Sequence, residues 1–142
     1  MYYVTKCFEF EAAHYLNKYS GKCAKVHGHS YKVEITCKSK QLDEIGMVID
    51  FKDLKERIDT FLDGEYDHSI INDIPPYSYE EINPTAENMA RIIFLRAKIV
   101  IDAWRTNSDY PVPDIHLHKV RVWETSTSYA EYVEESEEDV KS

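Results

Sequence analysis

Hydrophobic and polar positions alternate cleanly from residue 31. Tyr31, Val33, Ile35 and Cys37 fall on one face, and Lys32, Glu34, Thr36 and Lys38 on the other, the pattern of a half-buried strand with one wet side. Residues 2–13 alternate less perfectly, with Tyr2, Val4, Phe8, Phe10 and Ala12 on one parity and Lys6 the exception, and they predict a first strand. Period 2 then gives way to helical spacing. Asp50 is placed to cap a helix carrying Phe51, Leu54, Ile58, Phe61 and Leu62, with Asp63 and Gly64 as its stop. A second helix is expected from Asn83 as N-cap and Pro84 as first helical residue, with Ala86, Ala90, Ile93, Ala97, Val100 and Trp104 on its apolar stripe. Residues 115–123 and 129–133 read as two further strands, joined by a turn at 126–128. The order ββααββ does not alternate as a parallel βαβ chain does. It predicts an α+β domain: a four-stranded antiparallel sheet with both helices on one face and edges open to pairing with another copy.

Length and charge narrow the function. A chain of 142 residues with 43% hydrophobic side chains is one domain with an ample core, its acidic end, 134–142, expected to fray. A net charge of -9 removes the phosphate-neutralising surface of a nucleic-acid binder. Three cysteines, Cys7, Cys23 and Cys37, are too few for a disulfide scaffold and fit a reducing cytoplasm. Neither a secretory signal nor a run of about 18 apolar residues is present, so no membrane partner is expected and the encoded chain is read as the mature one.

The loop between the first two strands, 17–29, ends in His27-Gly28-His29. Histidines at i and i+2 of extended chain point the same way, and His14, closing the first strand, reaches the same end of an antiparallel pair. Three histidines with an open fourth position suit a catalytic zinc; a polar loop is the plain alternative. His116 and His118 repeat the spacing, with Val120 and Val122 continuing their face, and are read mainly as structural or solvent-facing. Cys23, between Lys22 and Lys25, is a base, a nucleophile, a fourth ligand or an inert thiol. Asp67 and His68 form a carboxylate-imidazole doublet of the kind used in proton transfer. Glu124 follows Val120 and Val122 on an apolar face, where a carboxylate needs a partner.

FEFEAAH, CAKVHGHSYKVEI, GMVIDFKDLK, YDHSIINDI, NPTAEN and VRVWETSTSYAEY resemble, in order and spacing, the 6-pyruvoyltetrahydropterin synthase family. The WET ending is similar to its 6-carboxytetrahydropterin synthase branch, which works in queuosine (7-deazapurine) biosynthesis. The resemblance implies the tunnelling fold, with sheets joined in a trimeric ring or an assembly of trimers and active sites between subunits. It implies zinc on His14, His27 and His29, Cys23 as catalytic cysteine with Asp67 and His68 as proton-transfer pair, and Glu124, with Thr85 and Glu87 nearby, on the pterin. The implied substrate is dihydroneopterin triphosphate, its charge met by Lys18, Lys22 or Lys25. Two departures stand out: 126–128 lacks a proline common after the ET pair, and an insertion at 75–81 is expected to alter the site rim. The competing readings are the pyruvoyl-forming branch, which stops at triphosphate elimination, and a non-catalytic zinc-binding ring. A zinc hydrolase is disfavoured for want of a helical HExxH.

Overall fold

The computed structural model describes residues 1–18, 21, 24–80, 82–107 and 114–135. Strands β1 (Tyr2–His14) and β2 (His27–Ser39) pair antiparallel along their whole length, from Tyr2 opposite Ser39 to His14 opposite His27. β2 therefore starts four residues before Tyr31, and the histidine pair belongs to the strand. Strand β4 (His116–Thr125) lies on the other side of β2 and turns back into β5 (Ser128–Val133).

The expected four strands are joined by a fifth. β3 (Ser69–Ile70) pairs parallel with Ala12 and Ala13 of β1, giving the order β3-β1-β2-β4-β5. Two residues show no periodicity, so a strand of this length leaves no mark on the hydrophobic pattern.

Helices α1 (Phe51–Phe61) and α3 (Ala86–Asn107) cover one face of the sheet, as expected. Leu54, Ile58 and Phe61 of α1, and Ala90, Ile93, Ala97 and Ile101 of α3, close over Phe8, Phe10, Tyr31, Val33, Ile35, Val120 and Val122. Met89, Ile92 and Phe94 are also buried, which widens the α3 stripe beyond the positions that periodicity selects.

Both expected helix boundaries move. Asp50 does cap α1, its carboxylate accepting the Lys52 N–H at 2.8 Å, but Asp63 and Gly64 do not stop the chain. It widens into a π turn over Leu62–Tyr66, closed by the Asp67 N–H on the Leu62 carbonyl at 3.1 Å. The wider turn places the Tyr66 ring wholly in the core, a gain of roughly 1.5–3 kcal/mol for a side chain of this size. Its hydroxyl meets that of Tyr77 at 2.8 Å. Tyr77 comes from the short helix α2 (Tyr77–Glu80), so the 75–81 insertion expected at the site rim sends its first tyrosine into the core. Burial raises both phenols, Tyr66 to about 12.

At the start of α3 the cap is Thr85, not Asn83: Thr85 Oγ1 accepts the Asn88 N–H at 3.1 Å, and the Thr85 carbonyl accepts the Met89 N–H at 2.9 Å. Threonine is a good N-cap, worth about 1 kcal/mol over alanine. Asn83 is free for another task because Thr85 does this one.

The bulge between β2 and β4 at Thr36 and Cys37 corrects a further expectation. It shifts parity, so Leu117 shares the core face with Val120 and Val122, while His116 is exposed and His118 half-buried on the other side.

Candidate metal centre

Strand parity puts His27, His29 and Tyr31 on the core face of β2, and Glu124 on the same face of β4 as Val120 and Val122. His14 is buried at the end of β1, directly opposite His27. The four groups converge where β1 ends and β2 begins. One donor atom from each of His14, His27, His29 and Glu124 lies within 4.8 Å of all the others. His14 Nε2 is 3.1 Å from His27 Nε2 and 3.3 Å from Glu124 Oε1, and His29 Nε2 is 3.1 Å from the same oxygen.

The outer ring nitrogens decide what the inner ones can do. His14 Nδ1 is 2.7 Å from the Pro84 carbonyl, with the Tyr31 hydroxyl at 3.2 Å, and His27 Nδ1 is 2.7 Å from the Lys25 carbonyl. A carbonyl only accepts, so each Nδ1 carries the proton and each Nε2 presents a lone pair. His29 Nε2 is buried and makes no hydrogen bond, although the Glu124 carboxylate is close. Two nitrogen lone pairs and a carboxylate turned on one another repel unless a cation stands among them. Tetrahedral zinc with bonds of 2.0–2.1 Å needs donors about 3.3 Å apart, close to these separations. The residues fit a metal ion, and the carbonyls of Pro84 and Lys25 supply the outer contacts that ligating histidines require.

The electrostatics agree. Burial is the main influence holding His29 below the usual imidazole value, helped by His14 and His27 and opposed by Glu124. Proximity to His14 foremost, and to His29 and His27, holds Glu124 below the usual carboxylate range, against the cost of its burial. His29 is thereby favoured as a neutral lone-pair donor and Glu124 as an anion.

Asp67 and His68 stand just outside this centre. The Glu11 N–H donates to Asp67 Oδ1 at 3.0 Å, the His68 N–H to the Glu11 carbonyl at 2.6 Å, and Asp67 Oδ2 meets His68 Nδ1 at 2.9 Å. The first of these bonds, with that to His68, holds the Asp67 carboxyl low. His68 sits in the left-handed region at φ +59°, a conformation costing a non-glycine residue about 1–2 kcal/mol, and its side chain is 80% exposed. It borders a groove of 430 Å³ shared with Ala13, Gly28 and His29. Of the metal centre only His29 lines this groove, whose other walls include Glu11 and Ser30.

Thr85 spends its hydroxyl on the α3 cap, and Glu87 is exposed in the first turn. The NPTAEN segment reaches the centre instead through the Pro84 carbonyl, a contact no residue-type signal could announce. Tyr31, expected only as core, was likewise hidden by its alternation. Cys23 and Lys22 lie outside the described residues. Of the other thiols, Cys7 is exposed, and burial pushes Cys37 up to about 12, so neither contributes here.

Comparison with known proteins identifies the family. The family model described as 6-pyruvoyl tetrahydropterin synthase matches residues 3–135. A Synechocystis protein named 6-carboxy-5,6,7,8-tetrahydropterin synthase is 37% identical over 136 residues, covering 93% of each chain. The Bacillus subtilis protein of that name is 33% identical, covering 91% of this chain and 83% of its own. The solved 6-pyruvoyl tetrahydropterin synthase of Caenorhabditis elegans superposes with a TM-score of 0.74 at 28% identity, over 94% of this chain and 96% of its own. Among the described residues no helix is long and apolar enough to cross a membrane. On the match over residues 3–135 and these identities over most of its length, the chain belongs to the 6-pyruvoyl tetrahydropterin synthase family.

Proposed function

We propose that this chain is a zinc-dependent 6-carboxy-5,6,7,8-tetrahydropterin synthase. It converts 7,8-dihydroneopterin triphosphate and water to 6-carboxytetrahydropterin, acetaldehyde and triphosphate, in the cytoplasm and on the route to queuosine. The observation that carries the reading is the convergence of His14, His27, His29 and Glu124, in a chain whose full-length relatives bear that enzyme name.

His14, His27 and His29 would hold the ion, which when bound supplies Lewis-acid polarisation of a coordinated oxygen. Glu124 pairs with the adjacent N–H donors of the pterin edge, a charge-assisted double contact that sets the ring's orientation. Cys23 as thiolate takes a proton from the substrate side chain. His68, its Nδ1 held by Asp67, returns one from Nε2. Triphosphate leaves, and cleavage of the carbon chain releases acetaldehyde. Lys18, Lys22 or Lys25, between the ligands His14 and His27 in sequence, would meet the charge of the triphosphate.

Assembly into a ring of copies completes the site. Supporting this, among the described residues the outer edge of β1 is paired only at Ala12 and Ala13, β5 is the opposite edge of the sheet, and His68 is exposed. The test is product analysis with zinc-loaded protein and dihydroneopterin triphosphate. Acetaldehyde with 6-carboxytetrahydropterin supports the reading. A pyruvoyl product moves the chain to the sister branch, and zinc binding without turnover makes it a binding ring.

A further inference from the structure

Beyond His14 the backbone leaves the sheet, yet its hydrogen bonding does not stop. The Tyr15 N–H donates to Asn72 Oδ1 and the Tyr15 carbonyl accepts from Asn72 Nδ2, both at 3.0 Å. Two residues on, the Asn17 N–H donates to Asn83 Oδ1 at 2.7 Å, and the Asn17 carbonyl accepts from Asn83 Nδ2 at 2.9 Å. A side-chain amide offers the same donor and acceptor as a peptide group, so each asparagine stands in for a neighbouring strand residue. Period 2 is kept: positions 15 and 17 are paired as strand positions would be.

These clamps bear on the centre from both directions. Asn72 follows β3, which pairs with β1 up to Ala13, so its amide continues that edge past His14. Asn83 precedes Pro84, whose carbonyl fixes His14 Nδ1, and its own carbonyl accepts Asn88 Nδ2 at 2.9 Å. One short segment at the start of α3 therefore grips both the ligand's ring and the chain three residues beyond it. Asn72 is buried, so losing its partner leaves a polar group without water.

We infer that Asn72 and Asn83 are positioning residues, clamping residues 15–17 on the far side of His14 so that its ring is held at the metal centre. The inference rests on the proposed metal-binding role of His14. It assigns these side chains a place in holding the site, with no contact to substrate.

Zinc binding alone, measured by chelator competition on the purified chain, is the test. Asn72→Ala and Asn83→Ala are each expected to weaken zinc 10- to 100-fold, the usual loss for an outer partner of a metal ligand. Asn83→Asp keeps shape and acceptor but sets an oxygen against the Asn17 carbonyl, so it should lose zinc as the alanine variant does. Asn88→Ala, which removes one of two hydrogen bonds to the Asn83 carbonyl and leaves that from the Thr85 N–H, is the mild variant if those fail to fold, with a few-fold loss. Thr5→Val is the control for stability alone, because it breaks the 2.7 Å bond between Thr5 and Thr36 hydroxyls, remote from the centre along β1. Zinc affinity unchanged in the asparagine variants, with melting lowered as in Thr5→Val, overturns the inference and leaves the metal site standing. A wild-type chain that binds no zinc overturns both.

Discussion

The sheet carries a His-X-His at each end, and only one of them makes a site. At the His27 end, β2 runs without interruption, so His27 and His29 share the core face and meet His14 and Glu124 from both neighbouring strands. At the His116 end the bulge turns the pair away from the core, and other groups occupy each ring. Arg105 Nη1 is 3.2 Å from His116 Nδ1, Asp114 is 3.6 Å from its Nε2, and His118 packs on Tyr3 with ring centroids 4.8 Å apart. A motif's spacing sets the direction in which its side chains point. Neighbouring strands decide whether anything waits for them there.

The largest effect should come from exchanging damage between the two ends. His27→Ala removes one of the three imidazole ligands, so zinc affinity should fall by more than about a hundredfold, beyond the loss for an outer partner, and turnover with it. His116→Ala and His118→Ala should bind zinc as the unaltered chain does. Metal analysis after dialysis separates the ends, and zinc lost from the His116 variant but kept in His27→Ala would reverse the assignment.

Cys23, in the loop that joins two of the ligands, has no counterpart at the other end. Cys23→Ala should retain zinc while turnover drops by roughly 10² to 10⁴, as for a lost general base. Zinc lost along with turnover would make the thiol a ligand. Glu124→Gln is expected to act on substrate more than on metal: pterin affinity falls by about ten- to a hundredfold, the cost of a charge-assisted contact. Calorimetric titration with a pterin and, separately, with zinc divides the two roles, and a variant that loses zinc while binding pterin normally would make the carboxylate the fourth ligand.

Much of this contrast was legible beforehand, for a physical reason. Histidines, a carboxylate on an apolar strand and a strict period of 2 are properties of residue type and spacing, and they announced both the α+β sheet and the donors of the centre. What stayed hidden depends on backbone. The Pro84 and Lys25 carbonyls that orient the ligands exist at every residue, and Asn83 read as a helix cap because capping and strand mimicry use the same side chain. The bulge at Thr36 and Cys37 came from pairing between strands, and so His118 was placed on the wrong face. The π turn at Leu62–Tyr66 won over the stop signal at Gly64 because Tyr66 gains a core position and the Tyr77 hydroxyl.

The smallest effect belongs to the end without the site and measures the cost of its histidine. Burial is the first cause holding His118 below the usual imidazole value of 6.5, with Lys38 of β2 and Lys119 adding to it and Glu131 of β5 opposing. Well above pH 6.5 the ring is neutral in both folded and unfolded chains, and His118 contributes nothing pH-dependent. As pH falls below that value, the unfolded chain takes up a proton that the folded one resists, so stability declines until the folded-state value is passed. His118→Gln abolishes this loss, whereas the other titrating groups act alike in both chains and cancel. The variant's melting temperature, relative to the unaltered chain, should therefore rise between about pH 7.5 and pH 5.5. Zinc should not alter that difference, because the His118 end holds none. A relative melting temperature that stays flat, or that zinc shifts, would join the two ends of the sheet that the bulge is held here to separate.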